Sequence, residues 1–341
     1  MSQVHNVFRP ILVCIALMGT ASSQTLVEFN SGNTAHIRGL SAVSDRVIWV
    51  SGTNGQVGRT DDGGQTWIWK QIPGFEKVDF RDIEAFDDHT AVIMGVGSPG
   101  YILHTADAGK NWTVVYKNVD SRIFLDAMMF WNDRSGIIIG DPMDGRFFIL
   151  RSFDGGRNWR ELPIENRPTA TEGEACFAAS GSNLARVSKD EAVFVSGGMR
   201  SRFFRRDSSK VLPIIKGSES TGANAIASYQ NCGKGEAMHL VVVGGDFSND
   251  KKDSAVCAIS SDGGKTWKQP ERAPLGYRSG VVWINRAKLL ACGTSGVDVS
   301  EDGGMRWRPI SQLGFHVCAK SKKGSSVFLA GPKGRIARLD W

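Results

Sequence analysis

One eight-residue motif occurs five times in this chain and constrains its fold more than any other feature. The copies read Ser/Thr-x-Asp-Gly/Ala-Gly-x-x-Trp, the Asp-box pattern, and lie at residues 60–67, 105–112, 152–159, 260–267 and 300–307. The aspartate of such a turn can accept hydrogen bonds from turn N–H groups, and the second glycine permits a positive φ. The tryptophan can fill the gap between neighbouring sheets. We therefore predict a structural role for the five aspartates, Asp62, Asp107, Asp154, Asp262 and Asp302.

The spacing of the copies predicts a repeat architecture. Their tryptophans are at positions 67, 112, 159, 267 and 307, so the steps are 45, 47, 108 and 40 residues. The long step corresponds to two units with one degenerate copy, for which residues 202–214 lie at the expected place. Units of roughly 40–50 residues with four short strands are typical of propeller blades. Forty of the 341 residues are glycine, about 12% against a usual ~7%, which also favours a turn-rich, all-β chain.

The number of blades follows from the inner strands. In five units the start of the inner strand precedes the glycine that ends the second strand by 14 or 15 residues; these starts are Arg38, Arg81, Leu125, Arg278 and His316. Two looser units start near Phe177 and Ala225, which makes seven, or six if the middle region holds one blade. The last unit ends at Trp341 before a fourth strand, and residues 25–33 form a lone strand. We predict an all-β, seven-bladed β-propeller whose N-terminal strand closes the ring and removes both open edges.

The first 23 residues differ from the rest of the chain. They contain one basic residue (Arg9), an apolar run over 11–18 and small residues before Gln24, which is typical of a cleaved secretory signal and too short for a membrane span. Cys14 follows Val13, whereas lipoprotein signals need a small residue there. We predict a signal peptide at 1–23, a single propeller domain at 24–341, and an exported protein, periplasmic or extracellular, with no further membrane span.

Charge and cysteine content narrow the classes of partner. The formal net charge is +6 and no Lys/Arg block with interleaved aromatics occurs, so we expect no nucleic-acid binding. The predicted mature chain has five cysteines, an odd number, so at least one thiol is unpaired; they are Cys176, Cys232, Cys257, Cys292 and Cys318. No C-x-x-C occurs and the histidines are scattered. We expect no metal, no cofactor and a monomer.

The predicted fold indicates where a binding site lies. In a propeller, the starts of the inner strands and the loops between second and third strands share one face, opposite the Asp-box turns. The inner-strand starts carry Arg278, His316, Arg38 and Arg81 in units six, seven, one and two, which are consecutive around a closed ring. Further charged residues predicted on this face are Asp82, Asp126, Asp141, Asp144, Arg146, Glu174 and Asp246.

These residues predict a channel mouth at which a cationic sector faces an acidic one. Clustered guanidiniums bind carboxylates through bidentate hydrogen bonds. We therefore expect the mouth to bind a protein segment or an anionic ligand without catalysis. The alternative is that these charges pair with one another and hold the blades together.

Five sequence blocks carry a resemblance to a known family. They are FRDIEAFD (80–87), GDPMDGRF (140–147), GEACFAASG (173–181), GYRSGV (276–281) and GPKGRIARL (331–339). They resemble conserved blocks of bacterial photosystem II stability/assembly factor-like propellers, some of which carry an oxidoreductase label. The resemblance implies a seven-bladed propeller that binds a precursor protein through an arginine-rich patch. Arg38, Arg81 and Arg278 are the positions that could match this patch.

Two enzymatic functions are alternatives to a binding function. GVGSPG (95–100) matches G-x-G-x-x-G, but a dinucleotide site needs a helix next, and a third blade strand is predicted there. Asp-box propellers also include sialidases, which need an arginine triad, a tyrosine nucleophile and an acid. Tyr277 would be the candidate nucleophile of a sialidase. A retaining pair of carboxylates ~5 Å apart would be drawn from Asp82, Glu84, Asp126, Asp141 and Glu174. Glycoside hydrolysis is therefore the alternative function, and oxidoreductase chemistry a weaker one.

Overall fold

The computed structural model describes residues 24–229 and 238–341, which form seven antiparallel sheets arranged as the blades of a propeller. The first three blades each have four strands in sequence order from the axis outward. Blade one contains β2 (Ile37–Ala42), β3 (Ile48–Gly52), β4 (Gln56–Thr60) and β5 (Ile68–Gln71). Blade two contains β6 (Phe80–Ala85), β7 (Ala91–Gly95), β8 (Gly100–Thr105) and β9 (Thr113–Asn118). Blade three contains β10 (Leu125–Phe130), β11 (Gly136–Met143), β12 (Arg146–Ser152) and β13 (Arg160–Glu161).

The middle blades are less regular. Blade four contains β15 (Leu184–Arg186), β16 (Ala192–Val195), β18 (Arg202–Arg205) and β19 (Ser208–Val211). Blade five contains β20 (Thr221–Tyr229), β21 (His239–Asp246) and β22 (Cys257–Ser260), and its sheet is extended by the short strands β14 (Glu174–Ala175) and β17 (Gly197–Gly198). A 3₁₀ turn, η1 (Ile164–Asn166), follows blade three.

The last two blades complete the ring. Blade six contains β23 (Gly280–Trp283), β24 (Leu289–Gly293), β25 (Gly296–Ser300) and β26 (Trp307–Ser311). Blade seven contains β27 (Val317–Lys320), β28 (Val327–Ala330) and β29 (Ile336–Asp340), with a 3₁₀ turn, η2 (Pro332–Gly334), before its third strand. Each inner strand packs beside the next, and the last, β27, packs against the first, β2. The predicted seven-bladed propeller is confirmed.

The N-terminal strand closes the ring, as predicted. Strand β1 (Thr25–Phe29) runs antiparallel to β29, from Thr25 opposite Asp340 to Phe29 opposite Ile336, and so supplies the outer strand of blade seven. The Phe29 ring lies 6.5 Å from that of Phe328 and joins the core between blades seven and one. The first and last parts of the chain therefore form one sheet.

The inner strand of blade four is not where the sequence placed it. It begins at Leu184 rather than near Phe177, and residues 174–182 instead cross the channel mouth. The signal was available, because the 14- to 15-residue spacing counted back from Gly198 reaches Asn183 and Leu184. The degenerate repeat at 202–214 supplies β18 and β19, the third and fourth strands of this blade, but lacks an Asp box.

The Asp boxes are held by bonds within eight residues. In the first box, Asp62 accepts hydrogen bonds from the Thr66 hydroxyl (2.6 Å), the Thr66 N–H (3.0 Å) and the Thr60 hydroxyl (2.7 Å), which keep its pKa well below the usual range. The second glycine has φ of +96° in this box, and the Trp67 indole donates to its carbonyl (3.1 Å). The aspartates of the other four boxes accept the equivalent bonds; they are Asp107, Asp154, Asp262 and Asp302.

The hydrophobic core lies between adjacent blades. Trp49 of blade one, for example, packs in a cluster with Ile93 and Leu103 of blade two. The four cysteines that the structure describes are buried free thiols within this core: Cys176, Cys257, Cys292 and Cys318. Cys232 and the predicted signal segment 1–23 lie outside the described residues. In the described part of the chain, no helix has the length and apolar character needed to cross a membrane.

Candidate binding site at the channel mouth

A pocket of about 440 Å³ opens at the end of the channel where the inner strands begin, and is called here the mouth pocket. Blades one, two and seven line it with Arg38, Arg81 and His316, and blade three with Asp141. Residues 175–179 and Phe247 also line it. Four of the predicted site residues therefore meet in one cavity.

The segment 174–182, called here the mouth segment, covers part of this opening. Its carbonyls at Ala178 and Ala179 accept hydrogen bonds from the Arg81 Nη1 (3.4 Å) and the Arg38 Nη1 (3.1 Å). Farther along, the Ser180 hydroxyl donates to the Ser279 carbonyl of blade six (2.5 Å). The mouth segment thus links blades across the channel and uses only part of the donor capacity of the two arginines.

Arg38 is the least compensated charge in the mouth pocket. Burial and the neighbouring Arg81 lower the pKa of its guanidinium, and it forms no ion pair with any described residue. Arg81 is partly neutralised, because its Nε donates to Asp79 at 2.7 Å. His316 adds no charge, since burial and the nearby Arg38 lower its pKa to about 3. The cationic sector therefore consists of two arginines and a neutral imidazole.

The acidic side of the mouth is a buried carboxyl pair. Asp141 accepts a hydrogen bond from the Cys176 N–H (2.9 Å), and burial raises its pKa to about 6. Asp126 is fully buried behind it, and burial together with the Asp141 charge raises its pKa well above the ordinary value. Neither Asp126 oxygen makes a well-formed hydrogen bond to the described residues, although the backbone amides of Ala178 and Asp141 lie nearby. Burial and the like charge therefore disfavour the state in which both carboxyls are ionised.

Arg278 is not brought into the mouth pocket, so the predicted cluster of three arginines is reduced to two. Its guanidinium is 1% exposed and forms an ion pair of 2.5 Å with Asp298, which is 0% exposed. It also donates to the carbonyls of Leu275 and Tyr277 (both 2.8 Å). This arginine links the loop before β23 to strand β25. Because its guanidinium is buried and bonded within the protein, it is unavailable to a ligand.

Glu174 and Asp82 have structural partners. Glu174 is buried and accepts two hydrogen bonds from Arg202, at 2.8 and 2.5 Å, which anchor the start of the mouth segment. Asp82 is also buried and accepts from the N–H groups of Ile83 (2.8 Å) and Met128 (2.6 Å). The bond from Met128 joins blade two to blade three.

The remaining predicted residues lie outside the pocket. Asp144 pairs with Arg122 at 2.8 Å in an exposed turn. Arg146 donates to the Arg167 carbonyl (2.6 Å) beside a separate cavity between blades three and four. Asp246 accepts from the Ser248 N–H (3.0 Å) at the start of a second-to-third-strand loop.

The geometry gives no support to the enzymatic interpretations. The Tyr277 phenol is fully buried, donates to Asn224 (2.8 Å), and has a pKa raised by burial, so it is not placed as a nucleophile. Asp126 has no exposed surface with which to contact a sugar. After the glycine motif at 95–100 the chain enters strand β8, as expected from the sequence, and a dinucleotide site requires a helix there.

A larger cavity of about 620 Å³ lies elsewhere, between blades five and six. It is bordered by Tyr229 and His239, on either side of residues 230–237, which the structure does not describe. Asp302 on its wall is engaged in an Asp box. The mouth pocket is the better candidate because ionisable side chains from four blades meet there.

The raised pKa of Asp141 predicts that the stability of the protein depends on pH. The variant Asp141→Asn removes this carboxyl and so isolates its contribution. An acid whose pKa is raised in the folded state binds its proton more tightly there, so its contribution to stability is lost as the pH rises from about 4 through 6. Wild type should therefore lose roughly 1–3 kcal/mol relative to the variant between pH 4 and 7. His316 titrates in the opposite sense but is present in both proteins. Urea unfolding at each pH measures the difference; Asp144→Asn, an exposed acid, is the control, and a pH-independent difference for Asp141→Asn would contradict the prediction.

Three aromatic residues of the site were not among the site residues predicted from the sequence. Phe124, Phe177 and Phe247 line the mouth pocket, each partly or half exposed. Phe247 stands in a loop after Asp246, and its position beside the mouth segment depends on contacts between blades. The only local signal was its place directly after GGD on the predicted mouth face.

The fold and this site define a class: a seven-bladed Asp-box propeller with a charged pocket at its channel mouth. Comparison with known proteins is consistent with that class. The family model described as photosynthesis system II assembly factor YCF48 matches residues 25–123, and the BNR/Asp-box repeat model matches residues 258–269.

Individual proteins give the same result. The photosystem II assembly lipoprotein Ycf48 of Synechococcus sp. (strain CC9902) is 26% identical over 58% of this chain and 56% of its own length. The chloroplastic photosystem II stability/assembly factor HCF136 of Arabidopsis thaliana is 30% identical over 36% of this chain and 30% of its own length. A solved structure, YCF48 bound to D1 peptide, superposes with a TM-score of 0.63 at 18% identity and covers 94% of this chain and 97% of that one.

The matched segment spans about half the length of the first of these relatives and less than a third of the second. The structural likeness, at 18% identity, shows the fold. Together the matches show that the chain is similar to photosystem II assembly factor-like, Asp-box propellers, as the sequence blocks indicated.

Proposed function

We propose that this protein is an exported, non-catalytic propeller of the assembly- or stability-factor type, which binds a protein segment through a carboxylate at the mouth pocket. The observation that carries the proposal is Arg38: a largely buried guanidinium without an ion-pair partner among the described residues, next to a second arginine. Two close cations of this kind repel each other, so a bound carboxylate would relieve the repulsion and form charge-assisted hydrogen bonds.

Features of the relatives support the same function. One relative is named a lipoprotein, which supports export together with the leader-like composition of residues 1–23. The YCF48 structure contains a D1 peptide, which supports a protein segment as the class of ligand. The ligand of this chain is proposed by class only, as a segment that carries a carboxylate.

The test is binding of peptides to wild type and to the Arg38→Gln/Arg81→Gln variant. Fluorescence anisotropy would be measured with labelled D1 peptide and with an acidic peptide selected from a displayed random library. We expect about a 10- to 100-fold weaker affinity in the variant and a smaller salt dependence, because charge-assisted hydrogen bonds are lost. The melting temperature should hold or rise, because relief of the repulsion between the two arginines offsets the loss of the partly exposed Arg81–Asp79 ion pair.

Arg160→Gln provides the matched control, because Arg160 is exposed on the outer strand of blade three. It removes one charge of the same kind far from the mouth and should leave affinity unchanged. Equal affinity in the double variant, or no acidic peptide that binds wild type, would overturn the proposal. Saturable hydrolysis of a sialoside by wild type that Asp141→Asn abolishes would replace it with the glycosidase function.

A further inference from the structure

We propose that the mouth pocket contains a second subsite, an aromatic shelf made of Phe177, Phe247 and Tyr277, which holds an apolar side chain next to the carboxylate of the bound segment. The inference rests on the proposed function and specifies the partner: an extended protein segment in which an acidic group and an aromatic or aliphatic side chain are close in sequence.

The shelf presents Phe247 and part of Phe177 to solvent above the buried Tyr277, and its rings pack against one another. Phe247 is 47% exposed, and its ring packs edge-on against Phe177, with centroids 5.6 Å apart and an interplanar angle of 85°. The Phe247 ring also lies 6.3 Å from Tyr277, at 75°. The hydrogen bond from the Tyr277 hydroxyl to the Asn224 side chain holds the Tyr277 ring in place. Aromatic rings held in this way lose little conformational freedom on binding, so they suit the role of anchor for an apolar group.

The shelf and the arginines line the same cavity. Arg38 and Arg81 come from blades one and two, whereas Phe247 and Tyr277 come from the loops of blades five and six, and Phe177 from the mouth segment. At about 440 Å³, the cavity is within the usual size range of ligand pockets. One ligand can therefore touch both the shelf and the arginines.

The surrounding surface has the same mixed character. Leu275, two residues before Tyr277, is 49% exposed, and Met199, in the second-to-third-strand loop of blade four, is 50% exposed on the same face. Lys251 and Lys252, a few residues after Phe247, are exposed and add positive charge. Apolar anchors with cationic neighbours fit an acidic, partly apolar segment better than a uniformly charged or a sugar ligand.

The experiment measures both subsites with one set of labelled peptides. Each peptide has one Glu and one Phe, zero to three residues apart in either order, in a Gly/Ser background, and is compared with its Phe→Ser and Glu→Gln counterparts. With wild type, the best peptide should bind about 10-fold or more tightly than either counterpart, because one loses apolar burial and the other the carboxylate. Phe247→Ala should remove the preference for Phe and keep the preference for Glu, and Arg38→Gln should do the reverse.

Two further variants guard against trivial effects. Phe153→Ala removes an aromatic ring that is 59% exposed in the Asp box of blade three, and should change neither preference. Phe247→Leu keeps an apolar surface and should retain much of the preference for Phe. If wild type prefers Glu over Gln but not Phe over Ser, the shelf is refuted while the proposed function stands; if it prefers neither, both fail.

Discussion

Arg278→Ala is expected to destabilise the protein by roughly 3–5 kcal/mol without acting through the ligand site, because it leaves a buried carboxylate uncompensated. Asp298 is 0% exposed and accepts from the Arg278 Nε (2.6 Å) and Nη2 (2.5 Å). The carbonyls of Leu275 and Tyr277 and the Ser295 hydroxyl lose donors as well. Equilibrium unfolding in urea, followed by tryptophan fluorescence, measures the loss.

The double variant Arg278→Met/Asp298→Leu is the informative control. Replacing both partners by apolar groups removes the orphaned charge, and such replacements are often neutral or stabilising. It should therefore recover much of the stability lost in Arg278→Ala. The result against this assignment would be an Arg278→Ala protein that unfolds like wild type but no longer binds acidic peptides, which would return Arg278 to the binding cluster.

Removal of residues 24–30 from the predicted mature chain, residues 24–341, is expected to have the other large effect. It deletes the outer strand of blade seven, with five paired positions along β29, and the Phe29 ring that packs near Phe328. Lost ladder bonds and apolar burial together correspond to roughly 5 kcal/mol or more. The exposed edge of β29 should also promote self-association.

Unfolding midpoint and light scattering measure the two consequences of this deletion. Val27→Thr, at a position 38% exposed, is the control and should shift stability by less than about 0.5 kcal/mol. A synthetic peptide of residues 24–33 added to the truncated protein should restore part of the lost stability by occupying the vacant edge. A truncated protein with the midpoint of the full mature chain would show that β1 does not close the ring.

The parts of the fold that the sequence predicted are those governed by local geometry. An Asp box completes its hydrogen bonds within eight residues, as Asp62 does with Thr60 and Thr66. Each copy can therefore be recognised from its own eight residues. Regular spacing between copies then predicted blades. The lone N-terminal strand and the missing fourth strand of the last unit predicted closure. The fourth blade was misplaced by seven residues because it lacks an Asp box, and an insertion, the mouth segment, precedes its inner strand.

The binding site depended on contacts that no local pattern encodes. Arg38 and Arg278 hold comparable positions at the starts of inner strands, yet one lines the mouth pocket and the other is buried against Asp298. The difference arises from Asp298, twenty residues farther along the chain than Arg278. Strand β25 places this carboxylate against Arg278 and not against Arg38.

By itself, then, the sequence determined the repeat, the number of blades, the closing strand and the face on which charges gather, because each follows from short-range hydrogen bonding and strand alternation. Tertiary structure alone decided which charged side chains have no ion-pair partner among the described residues and that the mouth segment covers part of the channel opening. It also decided that Phe177, Phe247 and Tyr277 form one shelf. Those outcomes depend on burial and on partners contributed by different blades, and both are properties of the closed ring rather than of any single repeat.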